Sequence, residues 1–155
     1  MNKDFERLIN KLDPKLICLL EMTPVSPANL PKTMPKEGIY LFSEKGNHLY
    51  VGRSRNIRRR IQKHSRPGAT HHTASFAFLI AREDTGWNQA AYKPEGSRAQ
   101  LVEIPEFADA FTKAKERIRS MDLRFVEETD SLSQALLEIY VAISLRTPYN
   151  DFRTH

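Results

Sequence analysis

A single cysteine, Cys18, stands in a chain of 155 residues, which excludes an internal disulfide and a zinc site built from thiolates. Long apolar runs are also missing: the longest, around Ser75–Ala81, falls far short of the ~18 residues that a membrane span requires. The opening segment MNKDFERLINK carries Asp4 and Glu6 and lacks the apolar stretch of a signal peptide, so a cytoplasmic protein with no membrane partner is expected. There are no internal repeats and no low-complexity tract. With 40% apolar and 28% charged residues, wholesale disorder is excluded as well. A chain of this length buries about 70% of its unfolded surface and holds together without staples.

Charge is present and unevenly placed. Lys plus Arg number 24 and Asp plus Glu 19, a net of +5. Arg53, Arg55, Arg58, Arg59, Arg60, Lys63 and Arg66 fall in one window without an acidic residue, and the rest of the chain is slightly acidic. A patch this dense attracts a phosphate polyanion by releasing its counterions. The same pattern also fits a solvated, self-repelling helix face.

Phe5, Leu8, Ile9, Leu12 and Leu16 form a helical stripe over residues 4–21, interrupted at Pro14. Four of the nine prolines (Pro24, Pro27, Pro31 and Pro35) then make a stiff connector. Residues 1–36 are thus expected to be a helical arm and connector, and 37–155 the main domain. Gly38–Phe42 and His48–Gly52 read as strands around a five-residue turn, a hairpin. Asn56 caps a helix over about Ile57–His64, whose Ile57/Ile61 stripe faces inward, and Pro67-Gly68 stops it. Ser75–Arg82 is apolar all round and fits either a buried helix or a buried strand. Asp84–Ser97 reads as a loop or insertion. Pro105 opens a helix with a Phe107, Phe111, Ala114, Ile118 stripe, and Leu123–Glu127 is a third strand. Ser131 and Gln134 suggest a capping box for a helix to about Leu145, with Leu132, Ala135, Leu136, Ile139, Tyr140 and Ile143 as its core face. The fold class is therefore α+β: a small three-stranded antiparallel sheet flanked by helices, with an N-terminal helical arm.

The hairpin carries Tyr40 on one strand and Tyr50 on the next, and the basic helix follows at once with Arg60 and His64 one turn apart. Glu138 stands in an otherwise apolar stretch, LLEIYVAI, where a carboxylate is costly unless it is paired or holds a metal. Asn150 follows in PYN. In order and spacing these residues resemble the GIY-YIG endonuclease superfamily. Gly38-Ile39-Tyr40 matches its first tripeptide, and Tyr50-Val51-Gly52 matches the second with Val for Ile.

The resemblance implies a metal-dependent endonuclease that hydrolyses phosphodiester bonds in DNA. It implies that Tyr40, Tyr50, Arg60, His64 and Glu138 are catalytic, with Glu138 binding one Mg²⁺ or Mn²⁺, and that Gly38, Gly52 and Asn150 support the site. Arg53, Arg55, Arg58, Arg59, Lys63 and Arg66 are then the expected DNA contacts. Two alternatives stand beside it: a DNA-binding module of the same fold without turnover, and a nuclease specific for RNA or repair intermediates. His71 and His72 have no third ligand at zinc-like spacing and are read as loop residues, one of them at most touching DNA. Trp87 and Tyr92 are read as packed or exposed rather than as platforms for bases. Oligomeric state is left open by the sequence.

Overall fold

The structure, a computed structural model, describes residues 1–71, 73–87 and 98–152. The chain divides into two compact units, Met1–Arg60 with Met121–His155, and Ile61–Ser120.

The first unit is built on a sheet of three antiparallel strands in the order β2-β1-β3: β1 (Gly38–Glu44), β2 (Asn47–Ser54) and β3 (Asp122–Glu127). It bears out the fold class read from the sequence. The hairpin turn is tighter than the five residues expected. The strands run on to Glu44 and Asn47, and Lys45 and Gly46 alone make the turn, both at positive φ, matching the twist of the strands. Beneath one face of the sheet lie α2 (Leu12–Glu21) and α7 (Ser131–Leu145). Leu12, Leu16 and Leu19 of α2, Ile39, Leu41 and Val51 of the sheet, and Leu137, Val141 and Ala142 of α7 close into one core. The helical arm thus contributes a third of that core's buried residues rather than standing apart. Its break comes earlier than Pro14: α1 (Lys3–Ile9) ends at Asn10. Pro14 sits in the first turn of α2, where its missing N–H has no intrahelical partner to lose.

Both outer edges of the sheet are covered. On β3, Val25 and Leu123 exchange two backbone hydrogen bonds of 2.9 Å, so the proline-rich connector adds a bridge. Lys15 Nζ donates to the Glu127 carbonyl at 2.5 Å. The β2 edge is closed by α7 and the residues after it. Helix α7 departs from expectation in two ways. Its N-cap is Asp130, whose carboxylate accepts from the Ser133 N–H at 2.8 Å, while Gln134 Nε2 donates to the Glu128 carbonyl. Its buried face is Ser133, Gln134, Leu137, Val141 and Ala142, whereas Leu132, Ile139 and Ile143 of the expected core face are exposed.

The second unit begins within α3 (Ile57–Ser65), whose N-cap is Asn56 as expected, accepting from the Arg59 N–H at 3.1 Å. Ser75–Thr85 settles the ambiguous apolar stretch as a helix, α4, with Phe76, Ala77, Phe78, Ile80 and Ala81 buried. A short helix not foreseen, α5 (Arg98–Glu103), precedes α6 (Pro105–Arg119), which buries the four residues of its predicted stripe. Phe78 packs on Phe107 and Phe111, and Trp87 stacks on Phe107 with centroids 5.9 Å apart. Buried Lys115 donates to the carbonyls of Pro67 and Ala69 at 2.7 and 2.8 Å, which ties the turn after α3 to α6. Tyr92 and the stretch 88–97 of the expected insertion, with His72, lie outside the described residues. Among the described residues no helix is long and apolar enough to cross a membrane.

Candidate active site

Pairing in the hairpin sets Tyr40 opposite Gly52 and Phe42 opposite Tyr50. Directly paired residues share a face, so both tyrosines and Gly52 look the same way, away from the Ile39, Leu41 and Val51 side. The phenol of Tyr40 lies flat across Gly52. A Cβ there would come within 2.2 Å of the hydroxyl oxygen and 2.3 Å of Cζ. Gly38 is needed for a different reason: its φ is +152°, and a Cβ would meet the Val126 carbonyl oxygen of β3 at 2.0 Å. The first glycine of the hairpin thus lets β1 start against β3, and the last makes room for the ring.

Tyr40 is fully buried, edge-on to Phe42 with centroids 5.8 Å apart. The guanidinium of Arg60, at the end of the first unit, hydrogen-bonds the Tyr40 hydroxyl. Burial pushes this phenol far above its usual range. The neighbouring Tyr50 and, more weakly, Glu138 push the same way, while the charge and hydrogen bond of Arg60 oppose them. Such a phenol is protonated at neutral pH, and its hydroxyl offers hydrogen bonds rather than a ready base. Tyr50 is half-buried beside it. Tyr40, Tyr50, Arg60 and Glu138, separated by nearly a hundred residues of chain, thus lie within electrostatic reach of one another.

Glu138 approaches from α7. Its side chain is 22% exposed, and burial raises its pKa above the ordinary carboxylate value. Arg53 counters this twice: its Nε lies 3.9 Å from Glu138 Oε1, and its backbone N–H donates to the carboxylate. Two residues back along the same strand edge, the Asn150 side chain grips Val51. Asn150 Oδ1 accepts from the Val51 N–H at 2.9 Å, and Nδ2 donates to the Val51 carbonyl at 2.7 Å. Tyr149 N–H donates to the Leu49 carbonyl at 3.1 Å, where the strand carries its register shift. Residues 49, 51 and 53 are therefore engaged in turn by Tyr149, Asn150 and Glu138. An edge strand otherwise presents such groups unpaired.

The basic residues are not equivalent. Arg55, Arg59 and Arg66 are exposed, and Lys63 is half-buried. Arg58 is turned to the connector, donating to the carbonyls of Pro31 and, at 3.3 Å, Lys32. Arg53 is drawn to Glu138, a pairing that its place in a basic run does not suggest. Strand alternation holds the clue, since Arg53 shares a face with Ile39 and Val51, against which α7 packs. His64 belongs to the second unit, where it is fully buried with its ring edge-on to Phe76 at 6.4 Å. No group of three His, Cys, Asp or Glu stands together among the described residues. Glu138 is the carboxylate of this cluster and the group able to take a cation.

Residues 36–98 match the GIY-YIG catalytic domain, the catalytic domain of a nuclease-type family. The match covers less than half of the chain, includes both signature tripeptides and Arg60, and bears out the resemblance to the GIY-YIG endonuclease superfamily. Glu138 and Asn150 lie beyond it and join the site through the fold. No curated protein and no solved structure matches the chain.

Proposed function

We propose, from the premise that residues 36–98 carry a GIY-YIG catalytic domain, that the protein is a metal-dependent endonuclease hydrolysing phosphodiester bonds in DNA and acting in the cytoplasm. The observation that carries the reading is the convergence of Tyr40, Tyr50, Arg60 and Glu138 around one buried phenol.

Glu138 fits a hard cation such as Mg²⁺ or Mn²⁺. It is a partly exposed oxygen donor whose present partner is itself a cation. Mg²⁺ keeps most of its waters and takes one or two carboxylates with phosphate oxygens, so a single acidic residue suffices. When bound, the ion supplies charge neutralisation at the phosphoryl group and support for the leaving oxygen. Arg60 presents its planar fork to the scissile phosphate while holding the Tyr40 hydroxyl. Tyr40 orients the attacking water, and Tyr50 hydrogen-bonds the water or the phosphate. The water oxygen bonds to phosphorus and releases a proton to solvent as the bond to the 3′ oxygen breaks, and that oxygen takes up a proton. Arg53, Arg55, Arg59, Lys63 and Arg66 attract the phosphate backbone by their positive charge, Arg58 being engaged with the connector carbonyls, and one centre cuts one strand.

Supercoiled plasmid incubated with Mg²⁺ is expected to be nicked, and Glu138→Ala or Tyr40→Phe to abolish nicking. Wild-type rates in both variants would overturn the assignment. Branched DNA and RNA run in parallel distinguish a repair or RNA nuclease, and salt-sensitive binding without cleavage identifies a non-catalytic module.

A further inference from the structure

Arg53 and Glu138, the carboxylate of the candidate site, form an ion pair. Its two halves differ. The backbone N–H of Arg53 is fixed by the strand, and its hydrogen bond aims the carboxylate of Glu138. The guanidinium sits on a flexible stem in a side chain that is 47% exposed, and its Nε rests 3.9 Å from the oxygen. One residue therefore both orients the carboxylate and places a removable positive charge beside it.

We propose that Arg53 is a positioning residue whose guanidinium is a resident counter-ion of Glu138, displaced when a divalent cation binds there. This rests on the reading of Glu138 as the cation-holding group. A carboxylate that is largely out of water and has no partner is expensive, and Arg53 offsets that cost in the metal-free protein. The same charge opposes a second cation: two positive groups cannot share one carboxylate at contact distance without repelling each other. The pair is loose and partly exposed, so the obstacle is modest and the guanidinium can swing into solvent. The backbone hydrogen bond stays and keeps the carboxylate aimed while the partner changes.

Mn²⁺ binding to the DNA-free protein, followed by the decrease of the free-ion paramagnetic resonance signal, tests this without any cleavage. Arg53→Gln keeps the backbone N–H and removes the charge, and it is expected to tighten Mn²⁺ binding by at least about fivefold. Arg55→Gln, an equal change of charge farther along the chain, is expected to shift affinity by less than half as much. Glu138→Gln is expected to remove binding. Unchanged or weaker Mn²⁺ affinity in Arg53→Gln, or an equal gain in Arg55→Gln, overturns the proposal while leaving Glu138 as the cation group. Binding that survives in Glu138→Gln, or none in the wild type, overturns the underlying reading as well.

Discussion

Gly52 has no space for even one methyl group, because the ring of Tyr40 occupies it. Gly52→Ala is expected to cost about 1–3 kcal/mol, as overpacking does, and to displace the hydroxyl that Arg60 holds. Adding Tyr40→Phe will not restore the stability of Gly52→Ala, since Cζ remains 2.3 Å from the added carbon. Denaturant titration of the wild type, the single variant and the double variant checks both statements. Glu138 gives a pH-dependent prediction. Its pKa is raised in the folded state by burial, so between the unfolded and folded values the native protein binds more protons. Stability then falls as pH rises through the folded pKa. With metal chelated, Glu138→Gln is expected to raise Tm at pH 8 by about 1–3 °C, the gain fading as pH falls towards the ordinary carboxylate range. A thermal melt series across pH reads it. The lone acid in an apolar helix is legible in the sequence because its cost has so few remedies. The Tyr40–Gly52 contact becomes legible only with the strand register.

At the level of elements, the closing of the β2 edge gives a sharp test. Asn150→Ala leaves the N–H and C=O of Val51 without partners, at a cost of about 2 kcal/mol for the two hydrogen bonds removed. Asn150→Asp keeps the acceptor and sets its second oxygen against the Val51 carbonyl, so it should be no milder. Equilibrium unfolding of both variants measures this. Elements with one apolar face, such as α6, are readable from the sequence, since periodicity fixes which side turns inward. Helix α7 misleads because it is apolar on opposite faces. Leu132, Ile139 and Ile143 repeat at helical spacing as faithfully as Leu137 and Val141, and hydrophobic pattern alone does not choose between them. Its polar residues do choose: Glu138 must meet Arg53, and buried Gln134 reaches the Glu128 carbonyl. The tight hairpin is hidden for a related reason, since Lys45 at φ +53° is not a residue that advertises a left-handed turn.

For the whole molecule, seven basic residues and no acidic one fall in one window around the end of β2 and α3, and the remainder is slightly acidic, which leaves the net charge of +5. Under the proposed function, neutralising exposed Arg55, Arg59 and Arg66 together is expected to flatten the slope of log K against log salt by about 0.9 for each phosphate left without its cationic partner. Binding titrations between low and physiological salt measure it. Arg58, engaged with the connector carbonyls, should contribute little to that slope.

The grip of Asn150 on Val51 also has a consequence in time. The two residues are 99 positions apart, and the second unit lies wholly between them in sequence. Closing so long a loop is a slow, non-local step, whereas the hairpin of β1 and β2 forms from neighbours. The tyrosines are therefore expected to reach register before Glu138 docks beside them. Assembly of the cluster of Tyr40, Arg60 and Glu138 is therefore expected as a late event of folding, lost again when α7 and the residues that follow it detach.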